Sequence, residues 1–380
     1  MALNFFQFFK QDKVSVGVDI SDKSIKVLSL NRQNNGKLSA EAFGYISIGE
    51  GVIENGRILD IEKFSSALKE IFEKTQPKPI TPKKIFLAVP ESKTFINIYK
   101  VSADLMGKDL ENKIRTLAAE SIPFNPNDLY FDFKEIYYDK KTKRKGILYI
   151  ASPKETIERY LNSFYKIGVK TVIVDIESAS LARALIKKEN KQESILILDM
   201  GARTTNMSII DKGEIRLSAS FPFGGNHLTK AIATNLKLSF EEADRMKITL
   251  GLNEKVGDNK ILPIFNSFCL PIIDEIKKEI EHYQTINQCK IKAIIICGGS
   301  SLMAGIDACI EKRIGIQVQR ANPWTNWKIE INSESGKIYL RKEAPILYAV
   351  VIGLALRGLE KDPHHVNINL VNFKGRSLGL

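Results

Sequence analysis

The sequence predicts an α/β protein of two lobes that share one duplicated unit, with a small α+β subdomain inserted in the first half. The chain has 380 residues, more than one ordinary domain of about 100–200 residues contains. The stretch VGVDISDKSIKVLSL around Asp19 aligns without a gap with LILDMGARTTNMSII around Asp199. Such a repeat indicates two copies of a strand–turn–strand unit. Between the copies, the order strand–strand–helix–strand–strand predicts the inserted subdomain.

The first lobe and its insertion follow from the order of the elements. VSVGVDI and IKVLSL predict two strands, and Ile61–Lys74 has the apolar spacing of a helix. The proline-rich stretch Gln76–Pro82 then breaks the chain. Beyond it, two strands, a helix from about Lys108 to Ser121 and two more strands predict the inserted subdomain. We place the first lobe at 12–82, completed by 168–192 and 344–362, and the insertion at 83–167.

The second lobe repeats the strand–turn–strand unit and adds helices. Ser239 and Glu242 form an S-x-x-E capping box at the start of one helix. A single long helix is predicted from about Pro263 to Tyr283, and an apolar strand ends at Cys297 before a GGSS turn. We place this lobe at 193–225 and 290–343, a helical subdomain at 226–289 and a C-terminal tail at 363–380.

The amino-acid composition of the chain excludes some classes of protein and of function. At 44% hydrophobic and 26% charged residues the chain is globular rather than disordered. The net charge of +12 is compatible with nucleic acid, an anionic membrane or a solvated lysine-rich surface. Only 14 of the 56 basic residues are arginine. Proteins that read a base sequence rely on arginine, which forms two hydrogen bonds to one base, so we expect no nucleic-acid partner. The four cysteines lack a CxxC spacing and predict reduced thiols without a zinc site.

Three turns end apolar strands and present small or polar residues that suit a phosphate chain. The first joins a carboxylate at a strand end to a lysine seven residues later, a pair that suits a hydrated divalent cation and phosphate. The second offers glycine and hydroxyls, and the third offers two glycines before a helix. Each turn alone is common in proteins, whereas the three turns together are a stronger sign of a phosphate-binding site. The candidate residues are Asp19, Ser21, Lys26, Asp199, Gly201, Ala202, Thr204, Thr205, Gly298, Gly299 and Ser300.

The order of these turns resembles the actin-like ATPase fold, in which two similar ribonuclease-H-like lobes close over ATP. Within that fold the chain resembles the PilM family of type IV pilus assembly over nearly its full length. The absence of GxxxxGK[ST] excludes a P-loop NTPase. The stretches that carry the likeness are Ala118–Ile136, Ala151–Leu185, LDMGARTTNMSII, Phe221–Lys247 and Tyr348–Leu359.

The resemblance implies ATP with Mg²⁺ as the cofactor, with Asp19 and Asp199 as the cation ligands. Asp244 and Lys247 match the acidic and basic pair that flanks the nucleoside in this fold. The alternative for this pair is an ordinary ion pair on a helix surface.

Two departures from the family pattern bear on hydrolysis. Ser21 and Asp22 stand where the first loop of the family has Gly and Ser, and the extra carboxylate repels phosphate unless a cation or Lys23 offsets it. Arg203 stands where the second loop usually has a small residue. We therefore expect ATP binding with at most weak ATPase activity.

The resemblance also implies a cytoplasmic scaffold, peripheral on the inner face of the cytoplasmic membrane, that docks the N-terminal segment of a PilN-like inner-membrane protein. Pilus motor or platform components and a homo-oligomer stay open as further partners. The alternative is a small-molecule kinase or phosphotransferase of the same fold, which needs a carboxylate base. The sequence offers no clear base, since only its place in the order of elements favours Glu177. A filament-forming anchor like FtsA requires an amphipathic C-terminal helix, a pattern that residues 371–380 lack.

Both ends of the chain carry short segments of interest. ALNFFQFFK at residues 2–10 predicts either a terminus packed on its own domain or a helix in the membrane interface. The tail residues 368–371 read INLV and resemble the INLLP segment of PilN partners. We predict that this tail lies, as an extended peptide, in a groove between the first lobe and the inserted subdomain of its own or a neighbouring protomer. The alternative is a disordered tail, or one that merely covers apolar surface near the last helix.

Overall fold

The computed structural model describes residues 13–252, 260–331, 333–334, 336–337, 345–361 and 368–371. The segment 2–10 and the rest of the tail lie outside this part of the chain. The strands are β1 (Val14–Ile20), β2 (Ser24–Arg32), β3 (Leu38–Ser47), β4 (Ile53–Glu54), β5 (Arg57–Ile58), β6 (Lys84–Val89), β7 (Phe95–Ser102), β8 (Leu129–Asp139), β9 (Arg144–Pro153), β10 (Lys170–Ile176), β11 (Ser194–Met200), β12 (Thr205–Asp211), β13 (Glu214–Phe221), β14 (Ile291–Cys297) and β15 (Val318–Arg320). The helices are α1 (Ile61–Lys74), α2 (Gly107–Ser121), α3 (Lys154–Lys166), α4 (Glu177–Leu185), α5 (Gly225–Leu236), α6 (Phe240–Leu250), α7 (Ile261–Phe268), α8 (Leu270–Asn287), α9 (Ile306–Ile314), α10 (Pro323–Asn326) and α11 (Ala349–Gly358).

The chain forms two compact units. Unit 1 comprises the described residues of Met1–Ala184, Trp327–Glu343 and Val350–Leu380, and unit 2 those of Leu185–Asn326 and Ala344–Ala349. In the described part of the chain, no helix combines the length and the apolar character that crossing a bilayer requires.

A five-stranded sheet in the order β10-β6-β1-β2-β3 forms the centre of unit 1. β1, β2 and β3 are antiparallel neighbours, whereas β1, β6 and β10 are parallel. α1 and α3 cover one face, where Phe64 and Leu68 pack with Tyr160 and Phe164. Our boundaries of 83–167 assign β6 and α3 to the insertion, but both belong to this sheet and its core. β6 reads KIFLAV and is buried after its first residue, as a central parallel strand requires.

The insertion is a separate three-stranded sheet in the order β7-β9-β8. α2 covers one face, where Ile114 and Ala118 pack with Ile147 and Tyr149 of β9. Since neighbouring residues of a strand point to opposite faces, Leu148 and Ile150 point to the other face, and both are buried as well. β8 and β7 are the edge strands of this sheet.

Unit 2 repeats the topology of unit 1. Its sheet has the order β13-β12-β11-β14-β15, with the first three strands antiparallel and β11, β14 and β15 parallel. Asp19 pairs with Lys26 across β1 and β2, and Asp199 pairs with Asn206 across β11 and β12. The repeat in the sequence is therefore a repeat in structure.

Two expectations about the second half are wrong. The predicted helix from Pro263 to Tyr283 consists of two helices, α7 and α8, separated at Cys269, because Pro271 suits the first turn of a new helix rather than the interior of a longer one. The predicted second lobe extends to residue 343, but Glu330 pairs with β3 of unit 1, where its N–H donates to Leu38 O at 2.9 Å. The capping box is confirmed, since the Ser239 and Glu242 side chains each accept a backbone N–H from the other residue.

Candidate functional site

The first turn in unit 1 is held by a buried ion pair. Lys26 Nζ lies 2.9 Å from Asp19 Oδ2, and both side chains are largely inaccessible to solvent. Ser21 closes the turn, because its N–H donates to Ser24 O at 2.9 Å and its hydroxyl lies 3.0 Å from that of Ser24. The turn thus presents a carboxylate and an ammonium group whose charges compensate each other.

Asp22, the extra carboxylate of this turn, is directed to a neighbouring hairpin. Its two oxygens accept the backbone N–H groups of Asn55 at 2.8 Å and Gly56 at 2.7 Å, at the turn between β4 and β5. Backbone N–H donors stabilise a carboxylate. The repulsion that we expect from Asp22 beside a phosphate is reduced by these two contacts.

The second turn in unit 2 is the meeting point of three segments. Gly201 O accepts the Ser300 hydroxyl at 2.8 Å from the third turn and the Gly225 N–H at 3.0 Å from the start of α5. Ala202 O accepts the Asn226 N–H at 2.8 Å. The second and third turns and the N-terminus of α5 are therefore held together as one cluster.

Glycines allow the second turn, the third turn and the start of α5 to lie this close together. A Cβ added at Gly298 would lie 2.4 Å from Asp199 Oδ1, and the φ of +80° at Gly298 disfavours other residues. A Cβ added at Gly225 would lie 2.4 Å from Ser300 Oγ. Gly299, by contrast, is exposed. The structure thus brings Asp199, Gly298 and Ser300 together, as the sequence predicts for the second and third turns.

Asp244 and Lys247 are more than a pair on a helix surface. Lys247 Nζ lies 2.7 Å from Asp244 Oδ1, 2.6 Å from Thr229 Oγ1 and 3.3 Å from Gly225 O. The Lys247 side chain is only 12% exposed. The lysine therefore connects α6 to the first turn of α5, next to the cluster of the two turns.

Other residues depart from the expected arrangement. Thr205 is buried, and its hydroxyl donates to Phe223 O at 2.9 Å, so it supports the strand rather than facing the turn. Gly201 N–H donates to Thr204 O at 2.9 Å and closes the second turn. Gly225 and Thr229 are absent from our predicted set. The FGGN sequence before α5 is the signal that points to Gly225, whereas nothing in the sequence singles out Thr229.

The donor set suits a phosphate chain with a hydrated cation. Mg²⁺ in such sites takes one or two carboxylates and completes its octahedral shell with phosphate oxygens and water. In unit 2, Asp199 is a ligand of that type, and Gly298 allows its carboxylate to lie against the third turn. In unit 1, Asp19 is a ligand of the same type.

Comparison with known proteins places the chain in a family. A family model described as type IV pilus assembly protein PilM matches residues 17–359. The chain belongs to the PilM family. A solved PilM–PilN type IV pilus biogenesis complex contains a chain that is 19% identical, with a TM-score of 0.77 over 92% of this chain and 99% of that one. The ethanolamine utilization protein EutJ from Carboxydothermus hydrogenoformans has a TM-score of 0.55 at 16% identity, over 91% of this chain and 90% of EutJ.

Relatives by sequence include cell division proteins. FtsA of Streptococcus pneumoniae serotype 2 (strain D39 / NCTC 7466) is 21% identical over 344 residues, which cover 80% of this chain and 74% of that protein. FtsA of Buchnera aphidicola subsp. Baizongia pistaciae (strain Bp) is also 21% identical, over 95% of this chain and 91% of its own. Together with the duplicated sheets, these matches confirm the predicted two-lobed, actin-like α/β fold and the predicted PilM family.

Proposed function

We propose that this chain is an ATP-binding scaffold of type IV pilus assembly that docks the N-terminal cytoplasmic segment of a PilN-like inner-membrane protein. The observation that supports nucleotide binding best is the cluster in unit 2, where Gly201 accepts hydrogen bonds from Ser300 and Gly225. Membership of the PilM family supports the role in pilus assembly.

Each predicted residue has a role in this proposal. Asp19 and Asp199 bind Mg²⁺, Lys26 neutralises phosphate, and Asp244 with Lys247 flanks the nucleoside. The backbone of the turns contacts the phosphates, and Thr205 maintains the shape of its strand. The phosphate contacts comprise Ser21, Gly201, Ala202, Thr204, Gly298, Gly299 and Ser300. When bound, Mg²⁺ shields the phosphate charge.

Binding rather than rapid hydrolysis is the use of ATP that the chain supports. A kinase of this fold needs a carboxylate base near the γ-phosphate. Glu177, the candidate from sequence, accepts the backbone N–H of Glu91 at 3.0 Å, so its carboxylate holds a turn in unit 1. We expect turnover well below the roughly 1–100 per second of kinases.

The proposed partner follows from the structural neighbour. The solved structure that matches 92% of this chain is a PilM–PilN type IV pilus biogenesis complex. We propose the same type of partner here, and with it a location in the cytoplasm, peripheral to the inner face of the membrane. Pilus motor or platform proteins and a second copy of the chain are further candidates.

The docking part of the proposal is tested by calorimetry with the cytoplasmic segment of the PilN-like protein from the same organism, in the presence of MgATP. We expect saturable binding to the full chain, and no binding of a scrambled segment. Absence of binding both to the folded, nucleotide-loaded natural chain and to the same chain carrying Asn369→Ala and Leu370→Asp in its tail would contradict the proposed partner.

A further inference from the structure

The four tail residues Ile368, Asn369, Leu370 and Val371 are bound within unit 1. Their exposed fractions are 4%, 2%, 1% and 3%, which is the burial of core residues. Burying three branched apolar side chains is favourable by about 1.5–3 kcal/mol each. The segment is therefore a docked peptide rather than a loose end of the chain.

The segment docks on the edge strand β10 through hydrogen bonds to both backbone groups of Val174. Leu370 N–H donates to Val174 O at 3.0 Å, and Val174 N–H donates to the side-chain Oδ1 of Asn369 at 3.1 Å. Among the described residues β10 is the last strand of its sheet, so these groups point away from β6, its neighbour in the sheet. Peptides that add to a sheet edge gain affinity from such bonds.

Asn369 also departs from the extended geometry that we expect from the sequence. Its Oδ1 accepts the Val371 N–H at 3.3 Å, which forms a tight turn centred on the asparagine side chain. The Asn369 side chain thus accepts the Val174 N–H and closes the turn by accepting the Val371 N–H. The Asn369 side chain therefore contributes both to docking on β10 and to the local turn of the segment.

The inserted subdomain provides the other wall. Asn369 N–H donates to Asp132 Oδ2 at 2.8 Å, and Asp132 lies on β8, the edge strand of the three-stranded sheet. Asp132 pairs with Ile150, which is buried on the face that α2 does not cover. The tail thus lies between two edge strands, as predicted for a groove between the first lobe and the insertion.

The point from which the tail departs is firmly held. Arg183 lies 3.5 Å from Glu360 and 3.2 Å from Asp175, and Arg357 lies 2.8 Å from Asp175, the residue after Val174. Six residues, 362–367, separate Lys361 from the bound segment. A short tether of this kind holds a peptide at an effective concentration in the millimolar range.

We infer that residues 368–371 regulate peptide docking in unit 1: they are a tethered, displaceable occupant of the groove between β10 and β8, and they compete with any peptide of the pattern apolar–Asn–apolar–apolar that docks there. A partner segment with this pattern must displace the tail before it binds. This inference deepens the proposed function and rests on it for the identity of the partner. The contacts of the groove do not depend on that identity.

The test compares two full-length chains, the natural one and a released chain that carries Asn369→Ala and Leu370→Asp. The probe is a labelled peptide of residues 366–373, VNINLVNF, and its matched control is the same peptide with Asn369→Ala. We expect the probe to bind the released chain, and to bind the natural chain about tenfold more weakly or worse because the tether competes. The control peptide should bind the released chain about tenfold more weakly, because it loses two hydrogen bonds. Equal affinity for both chains would overturn the inference.

Variants of the groove locate the binding. In the released chain, Asp132→Ala should weaken binding of the probe because it removes the acceptor for Asn369 N–H. Asp128→Ala, at an exposed residue just before the same strand, should not. An unchanged affinity in the Asp132 variant would place the peptide elsewhere and contradict the inference.

Amide exchange of the natural chain provides a test that does not depend on the folding of a variant. The Leu370 amide is protected by its bond to Val174. Excess probe peptide should accelerate its exchange, whereas a permanently packed tail would exchange at the same rate with or without the peptide, and this result would overturn the inference.

The cytoplasmic segment of the PilN-like partner separates this inference from the proposed function. Stronger binding to the released chain than to the natural chain supports both. Equal, saturable binding of the partner segment to both chains supports the proposed partner and contradicts displacement of the tail. Binding of the probe without any binding of the partner segment supports the groove and contradicts the proposed partner.

Discussion

Lys247 contacts Asp244, Thr229 and the carbonyl of Gly225, next to the cluster of the two turns in unit 2. We expect Lys247→Ala to weaken ATP binding about tenfold, because hydrogen bonds to a charged group are worth about 1.5–3 kcal/mol. Isothermal calorimetry measures this change. The matched control is Lys74→Ala, which removes an exposed ion pair with Glu70 on α1 and should leave ATP affinity unchanged. An unaltered affinity in the Lys247 variant would exclude this residue from the site.

Asp175 is buried in unit 1 between Arg357 and Arg183. Burial by itself raises the pKa of this carboxyl, but the two guanidinium groups outweigh it and hold the pKa below its ordinary value. Since the pKa is lower in the folded state, the stabilisation is complete above the unfolded value of about 3.9 and is lost as the pH falls through the folded value.

The corresponding variant is Asp175→Asn. We expect it to lose about 3–5 kcal/mol of unfolding free energy at neutral pH, because both buried guanidinium groups lose the negative charge of Asp175. Below about pH 4 the difference from the natural chain should shrink. Urea denaturation across pH measures both effects. Asp274→Asn, which breaks an exposed pair with Arg313, is the control and should change stability little. A difference that does not depend on pH would contradict the assignment of the charge to Asp175.

Some site residues are predictable from the sequence because their partners are close along the chain. Asp19 and Lys26 face each other across one tight turn, and Asp244 and Lys247 share one turn of a helix. Asp22 and Thr205 are not predictable in the same way. Their hydrogen bonds go to Asn55 and Gly56 in the β4–β5 turn and to Phe223 after β13, and these residues come near only in the folded chain.

At the scale of elements, the sequence predicts features that depend on neighbouring residues, but it does not predict which sheet a strand joins. The capping box at Ser239 and the repeated strand–turn–strand unit are confirmed, because both depend on residues next to one another. The location of β6 is different, since an apolar strand pairs equally well with the insertion or with β1. The break at Cys269 separates two helices whose apolar spacing continues through it, which is why one long helix is expected.

The contact between α4 and α11 depends on Gly353. A Cβ added there would lie 1.9 Å from Ser180 O, and the Gly353 carbonyl accepts a hydrogen bond from Arg183 at 3.0 Å. We expect Gly353→Ala to lower the unfolding free energy by about 1–3 kcal/mol, because the two helices must separate. Urea denaturation measures this loss.

The control for this prediction is Gly49→Ala. Gly49 lies in the same unit, and an added Cβ has no atom within 4 Å. Its variant should be as stable as the natural chain or slightly more stable. If both variants lose the same free energy, the close packing of α4 on α11 is not the cause.

At the scale of the whole molecule, two sheets with the same strand order carry the two aspartates at the ends of equivalent strands, β1 and β11. The copies differ at the position that pairs with the aspartate, which is Lys26 in unit 1 and Asn206 in unit 2. The repeated topology therefore provides a common framework, within which the two turns differ in the residue opposite the aspartate.

Calorimetry of MgATP binding to the natural chain and to Asp199→Ala tests this account most directly. We predict one nucleotide bound per natural chain and an affinity about tenfold lower in the variant, because a carboxylate ligand of the cation is lost. Asp274→Ala, which removes an exposed carboxylate of the same unit, should bind as the natural chain does. An affinity for MgATP that is the same in the natural chain and in Asp199→Ala, or the absence of binding to the folded natural chain, would contradict the account.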